Sequence, residues 1–373
     1  MDEYSISYLS VGRDILRSTV QPNRPASVPL IMADPDFDLA VAADTRSQDQ
    51  PGNAHREVLP PLLSESARFS SEAEPHKLAF QRGALERETN AGQILSTLDG
   101  KLFKRAPGTR YLGESVAKKL NQQPYLEEHA LETRLTTSQC PHILLLATHG
   151  VFLPDSQDPP QPPLKKGGLL TTPFSREGDI FNRFSAPKAN NPMMRSGIAL
   201  AGANTWIAGG ELPPDAGKGL LFAQDVAALD LWANELTVLS ACNTAIGDVK
   251  IGEGVFGLRR AFAIAGAKTL LMSLWPVPDR ATALLMQRFF DNLQRGLGRA
   301  DALHEVQNYL RTITVGELRQ FPLGMEVLDE LLAENSPDCL EDDTPLSHPF
   351  YWGAWVCQGD TTPFRVEFAG APN

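Results

Sequence analysis

Two continuous apolar runs limit this chain's fold more than any other feature: HILLLATHG over residues 142–150 and LTVLSACNT over residues 236–244. Runs of this length, bounded by turn-forming residues, fit strands buried on both faces of a parallel sheet. Each delivers one reactive side chain at its carboxyl end, His149 from the first and Cys242 from the second. In open α/β sheets ligands bind in the crevice outside the carboxyl ends of the strands, and neighbouring strands lie about 4.8 Å apart. If the two runs are neighbours, an imidazole and a thiol meet there.

Other segments extend the pattern. Residues 28–33 (VPLIMA) read as a strand closed by the turn signal DPD, residues 268–274 (KTLLMSL) as a buried strand closed by Trp275 and Pro276, and residues 348–357 as a final aromatic strand. Residues 195–202 form a short β-compatible piece after the His run. The periodicity predicts helices over 220–230, with Leu221, Val226 and Leu229 inward, over 255–265 ahead of Gly266, over 280–294 with Asp279 as N-cap, and over 300–312. Val116 and Leu120 fit one helix face. Strand and helix alternation of this kind predicts an α/β fold, a mostly parallel sheet with helices on both faces. At 373 residues the chain has room for one large core or two smaller ones. We divide it at residue 135: residues 1–135 hold strand and helix material without a Cys and His pair, and 136–373 hold both apolar runs.

Composition excludes several roles. The chain has 34 Lys and Arg against 45 Asp and Glu, a net charge of −11, which argues against direct binding of nucleic acid. No apolar stretch approaches the roughly 20 residues of a membrane span. The start, MDEYS, is acidic where a signal peptide is basic, so a cytoplasmic location is expected. Cysteines at 140, 242, 339 and 357 lack paired spacing, and the histidines form no H-x₃-H pair, so no zinc site, disulfide framework, catalytic metal or cofactor is expected. GEGVFG at 252–257 matches G-x-G-x-x-G literally but does not open a helix directly after a strand, which sets dinucleotide binding aside.

Thiol chemistry sets what the pair can do. A thiolate is a nucleophile, and an adjacent imidazole lowers the thiol pKa or takes its proton. The backbone N–H groups of Gly150 and Cys242 are candidates for an oxyanion hole. The plain alternative is a buried, inert cysteine and a hydrogen-bonded structural histidine. The Pro-rich segment 151–191 begins one residue after Gly150 and is expected beside the groove as a lid or a processing site, with Lys165 and Lys166 as cleavage positions for a pocket that prefers basic residues; a plain insertion is the alternative. Between 323 and 344 there are eight acidic side chains and no basic one, which fits a solvated face or, as the alternative, docking of a basic substrate.

The motifs ATHG (147–150), LSACNT (239–244), GEGVFGLRRAF (252–262), AGA (265–267), SLWPV (273–277) and HPFYWGA (348–354), with ISY (6–8) and SGIALAG (196–202), together resemble the CHAT peptidases. These are caspase-like cysteine proteases related to separase and commonly linked to tetratricopeptide repeats. The resemblance implies a caspase-like fold, a catalytic dyad of His149 and Cys242, and a protein or peptide substrate cleaved within a regulated bacterial signalling or defence system. A regulatory protein or repeat domain is the implied partner. It also implies that Ser240 lines the first substrate pocket, where a neutral residue selects no charge by itself, and that 1–135 is a degenerate, bracing half. Two departures from caspases proper are visible: SACNT replaces Q-A-C-[RQG]-G, and the histidine lies 93 residues upstream of the cysteine rather than about 50. No third catalytic member is named. The rival functions are an idle scaffold or partner-recognition module, and an acyl-transfer enzyme acting on a small ester or amide.

Overall fold

The computed structural model describes residues 24–40, 103–152, 193, 196–242, 253–275, 277–334 and 340–364. Residues 6–8, Lys165 and Lys166 with nearly all of the Pro-rich segment, the loop 243–252 and Cys339 lie outside them. In chain order the elements are β1 (Leu30–Pro35), α1 (Pro107–Lys119), β2 (Tyr125–Glu127), α2 (Glu132–Thr136), β3 (Ile143–Phe152), β4 (Ser196–Ala199), α3 (Ala203–Ile207), β5 (Leu220–Phe222), α4 (Ala223–Val226), β6 (Leu236–Cys242), α5 (Glu253–Ala265), β7 (Thr269–Ser273), α6 (Asp279–Gln294), α7 (Arg299–Thr312), α8 (Val315–Leu318), α9 (Pro322–Glu334), α10 (Pro349–Trp352) and β8 (Trp355–Gly359).

The expected mostly parallel sheet is present, in the order β2-β1-β3-β6-β7-β8. Every pairing along it is parallel except β7 with β8. Strand alternation divides the core in two. Ile143, Leu145 and Ala147 of β3 face one cluster with Leu112 of α1, Phe289 of α6 and Leu310 of α7, while Leu144 and Leu146 face the other with Phe262 of α5 and Val226 of α4. Both faces of β3 are therefore dry, which is why its sequence is apolar at successive positions rather than alternating. Gly266 ends α5 at φ +128°, and a Cβ there would meet the Leu231 backbone at 2.4 Å, so only glycine lets this turn close on the loop before β6.

Four local expectations change. Residues 220–230 are not one helix: Leu220–Phe222 pair antiparallel with β4, and only Ala223–Val226 turn helical, with the Asp225 carboxylate accepting the Phe222 N–H at 3.2 Å. An available strand partner outweighs a weak helical period. The final aromatic segment starts as the helical turn Pro349–Trp352, which His348 Nδ1 caps by accepting the Phe350 N–H at 3.2 Å, and becomes strand only from Trp355. Asp279 is the first residue of α6 rather than its cap; the capping position is Pro278 and makes no side-chain bond. Finally, β3 does not end at His149 but runs on to Phe152, where it pairs antiparallel with β4.

Candidate active site

The register of the two central strands brings the pair together. β3 and β6 run parallel with His149 opposite Cys242, and Cys242 closes its strand. Ser240 stands opposite Ala147, and Gly150 follows His149 into the antiparallel ladder opposite Ile198. Thr148, on the other face, donates its hydroxyl to the Ala199 carbonyl at 2.6 Å and ties β3 to β4.

The imidazole of His149 is held on three sides. Its ring stacks on Phe37 at 5.4 Å and on Phe103 at 5.9 Å, and Nε2 lies 2.5 Å from the Lys104 carbonyl oxygen. A carbonyl only accepts, so Nε2 carries the proton and Nδ1 is the nitrogen that accepts in the neutral ring. The Lys104 carbonyl is itself anchored through its neighbour. Arg105 donates Nε to Asp34 at 2.9 Å, pairs a second time with that carboxylate, and reaches Glu127 at 2.9 Å. Arg110 joins the cluster, bonding Glu127 at 2.8 Å. The guanidinium hydrogen bonds of Arg105 and Arg110 hold the Glu127 carboxyl below its usual range.

Asp279 supplies charge from the first turn of α6. With His149, Ser240, Thr282 and the first turn of α1 it encloses a cavity of about 20 Å³, room for about one water. Burial pushes the Asp279 carboxyl pKa up, while the charges of His149 and Arg280 draw it back down. Gly108 makes this packing possible, because a Cβ at that position would lie 2.4 Å from the Asp279 Cβ. Thr282 is 6% exposed and its hydroxyl has no hydrogen-bond partner among the described residues.

Two further thiols, Cys140 and Cys357, lie in the core. Cys140 is buried and its sulfur accepts the Ala233 N–H at 2.9 Å, with burial raising its pKa. Cys357 is buried against the α6–α7 face and is pushed up to about 12 by the same cause. Neither is set up as a thiolate near neutral pH.

Sequence reasoning named His149, Gly150, Ser240 and Cys242, and all four fall on facing strand ends. It missed Phe37, Phe103 and the Lys104 carbonyl, which come from segments distant in sequence and carry no motif. It placed Asp279 correctly at a helix start but gave it only a capping role. A signal for Thr282 was available, since it is a hydroxyl within the buried face of ATALLM, residues 281–286. Among the described residues no cluster of three or more His, Cys, Asp or Glu side chains could hold a metal ion, and no helix is long and apolar enough to cross a membrane.

A mostly parallel α/β sheet of this layout is that of the caspase-like, peptidase-related proteins. The family model for the CHAT domain matches residues 1–360, and the chain belongs to that family. Over 121 residues it is 38% identical to tetratricopeptide repeat protein 28 of Homo sapiens and 32% identical to the same protein of Mus musculus. The matched stretch is 32% of this chain and 5% of the length of each relative.

Proposed function

We propose that the chain is a cysteine-type endopeptidase that cleaves a protein or peptide in the cytoplasm, with Cys242 as nucleophile and His149 as general base and acid. The observation that carries this is the parallel register of His149 with Cys242 at the end of β6, together with a histidine ring whose Nε2 is committed to the Lys104 carbonyl.

The cycle follows from ordinary thiol chemistry. The Cys242 proton passes to His149 Nδ1, and the thiolate adds to the scissile carbonyl carbon. The N–H groups of Gly150 and Cys242 stabilise the oxyanion. His149 then protonates the leaving amine nitrogen as the C–N bond breaks, which leaves a thioester. Water gives a proton to Nδ1, adds to the thioester carbon, and the C–S bond breaks to release the acid and return the thiol. The imidazolium that forms twice in the cycle faces the Asp279 charge and keeps its Nε2–H on the Lys104 carbonyl. Ser240 forms one wall of the substrate pocket. Residues 1–135 act as a bracing half that contributes Phe37, Phe103 and Lys104 around the histidine, and activity is gated by a partner protein or repeat domain.

The test is digestion of a proteome-derived peptide library. Wild type is expected to generate new amino termini, and Cys242→Ala to lose at least about 10³-fold of that activity while keeping its unfolding temperature. Equal cleavage by Cys242→Ala would overturn the assignment. The likeness to tetratricopeptide repeat proteins favours one second reading, a partner-recognition module without catalysis. Iodoacetamide separates the two: a peptidase labels first at Cys242, well ahead of Cys140 and Cys357, whereas an idle scaffold shows no preference for Cys242.

A further inference from the structure

The rings and the carbonyl that hold His149 must themselves be held. Rotation of an imidazole about its Cβ–Cγ bond is broad and two-fold, so β3 fixes where the His149 ring sits but not which nitrogen meets which neighbour. That choice falls to Phe37, Phe103 and the Lys104 carbonyl. Residues 103–106 belong to no helix or strand, so no sheet ladder holds Phe103 in place. Asn204, in the first turn of α3 and 3% exposed, does so instead. Its Oδ1 accepts the Phe103 N–H at 2.8 Å, and its Nδ2 donates to the Phe103 carbonyl at 3.0 Å and to Asp38 Oδ1 at 2.8 Å. Its backbone N–H donates to the Phe37 carbonyl at 2.8 Å, and the Gly202 N–H donates to the Asp36 carbonyl at 2.9 Å.

These partners admit one orientation of the amide. A flipped Asn204 would set its NH₂ group against the Phe103 N–H and its oxygen against two other oxygens. The side chain therefore grips both polar groups of one residue, and that residue carries a ring stacked on His149 and precedes the carbonyl bonded to Nε2. On the far side of Lys104, Arg105 is held by Asp34 and Glu127 where solvent reaches it, whereas the Asn204 bonds to Phe103 are buried and screened far less. Phe37, Asp38 and Phe103 all lie within residues 1–135, while Asn204 and both members of the dyad lie within 136–373. One amide thus ties the bracing part of the chain to the part that carries the chemistry.

We propose that Asn204 is a positioning residue for His149: its amide fixes the Phe103–Lys104 segment against the Phe37 loop, so that the imidazole keeps Nε2–H on the Lys104 carbonyl and presents Nδ1 as the accepting nitrogen. It touches no reacting atom. Without it Phe103 loses the partners of both its backbone groups, the Phe37 and Phe103 rings, 5.5 Å apart, can separate, and the Lys104 carbonyl can drift from Nε2. The His149 ring can then turn or change tautomer, and a neutral ring protonated on Nδ1 cannot take the thiol proton there. The inference deepens the peptidase assignment and rests on it for the effect on turnover, but not for the effect on the ring itself.

Two measurements on the full chain test it. The first is kinetic: Asn204→Ala is expected to lower kcat about 10- to 100-fold with KM nearly unchanged. Asn234→Ala is the control, because Asn234 is an equally buried amide, bonded to the Pro141 carbonyl at the opposite end of the sheet. Its loss should lower the unfolding temperature and leave kcat of the folded protein alone. The second measurement is NMR of the histidine ring nitrogens, with the His149 signals assigned from His149→Gln. The neutral ring is expected as the Nε2–H tautomer in wild type and as a mixture of tautomers in Asn204→Ala. Asp38 is exposed, so Asp38→Ala keeps the test valid if Asn204→Ala does not fold; it strips one acceptor from the amide and should give the same two changes in smaller measure, about 2- to 10-fold in kcat. An equal fall in kcat in Asn234→Ala, or folded variants that keep both kcat and the single tautomer, would overturn the proposal and leave Cys242-dependent cleavage standing. A wild type that cleaves no peptide, while Asn204→Ala still mixes the tautomers, would sink the peptidase assignment and leave the positioning role intact.

Discussion

The two ends of the same parallel sheet handle buried polar groups in opposite ways. At the amino ends of β6 and β7, Arg299 is fully buried and its charge is matched: it pairs with Glu235 at 2.5 Å and Asp360 at 3.4 Å, donates to the Thr362 carbonyl at 2.8 Å, and lies 4.3 Å over the Phe364 ring. Only its Nε lacks a partner. Lys268 adds a second cation to Glu235, and buried Asn234 donates to the Pro141 carbonyl at 2.7 Å while accepting from Thr237 at 2.9 Å. At the carboxyl ends, Asp279 lies beside His149 and Glu330 beside Asp279, burial raises both carboxyls, and the hydroxyl of buried Thr282 has no partner among the described residues. The first end has matched charges and holds the fold. The second keeps two raised carboxyls and an unpartnered hydroxyl beside the candidate site, which is the usual cost of a working site.

The largest effect expected from this contrast belongs to the amino end. Arg299→Met removes a fully buried cation from two half-buried carboxylates, of which Glu235 keeps Lys268, and costs at most about 3–5 kcal/mol. The unfolding temperature should drop by roughly 4–6 °C while Cys242-dependent cleavage by the folded protein stays put. A variant that keeps its melting temperature would show that this network does not hold the fold, and the contrast between the two ends would fail.

Next comes the contact that builds the site. Gly108→Ala introduces a Cβ 2.4 Å from the Asp279 Cβ and 2.8 Å from its backbone, so α1 and α6 must separate at their first turns. Overpacking of this kind costs about 1–3 kcal/mol. Because the strain falls on the residue that faces His149, cleavage should suffer more than stability does. Comparing the loss in kcat/KM with the shift in urea midpoint decides the matter; equal free-energy losses in both would mean that Asp279 is packing alone.

What the sequence made legible divides along the same line. β3, β6, β7, α5 and α6 were readable because their signals are local, an apolar run or a 3.6-residue period, and His149 and Cys242 were readable because they end such runs. The extension of β3 to Phe152 and the strand at 220–222 depend on β4 as a partner, and pairing between segments that distant leaves no local trace. The Lys104 carbonyl is backbone and has no side-chain signature at all. The acidic residues of 323–344 were visible as charge, but only the packing of α9 on α6 turns three of them toward Asp279.

A smaller effect, of opposite sign to the first two, is expected at Asp279. Its folded pKa is raised by burial, so folding binds more protons than the unfolded chain, and its contribution is most favourable at low pH and is lost as pH rises through the folded value. Asp279→Asn removes a charge that is costly at neutral pH. The variant should therefore be more stable than wild type at pH 7–8, by about 1–2 °C for each kcal/mol released. The gap should close as pH falls below the carboxylate range. A less stable variant at pH 8 would mean that the His149 and Arg280 charges outweigh burial.

The smallest effect should come from Arg105, which belongs to the carboxyl end yet is arranged like the amino one. Its guanidinium pairs with both Asp34 and Glu127, and its side chain is 46% exposed, so solvent screens much of the attraction. Arg105→Gln should cost less than about 1 kcal/mol in stability. The Glu127 pKa is lowered by its arginines, so this cluster contributes above the ordinary carboxylate range and weakens as pH falls, the reverse of Asp279. The informative consequence is positional. Arg105 follows the residue whose carbonyl holds His149 Nε2, and loosening it frees that carbonyl to move. The expected result is a few-fold fall in kcat with KM unchanged.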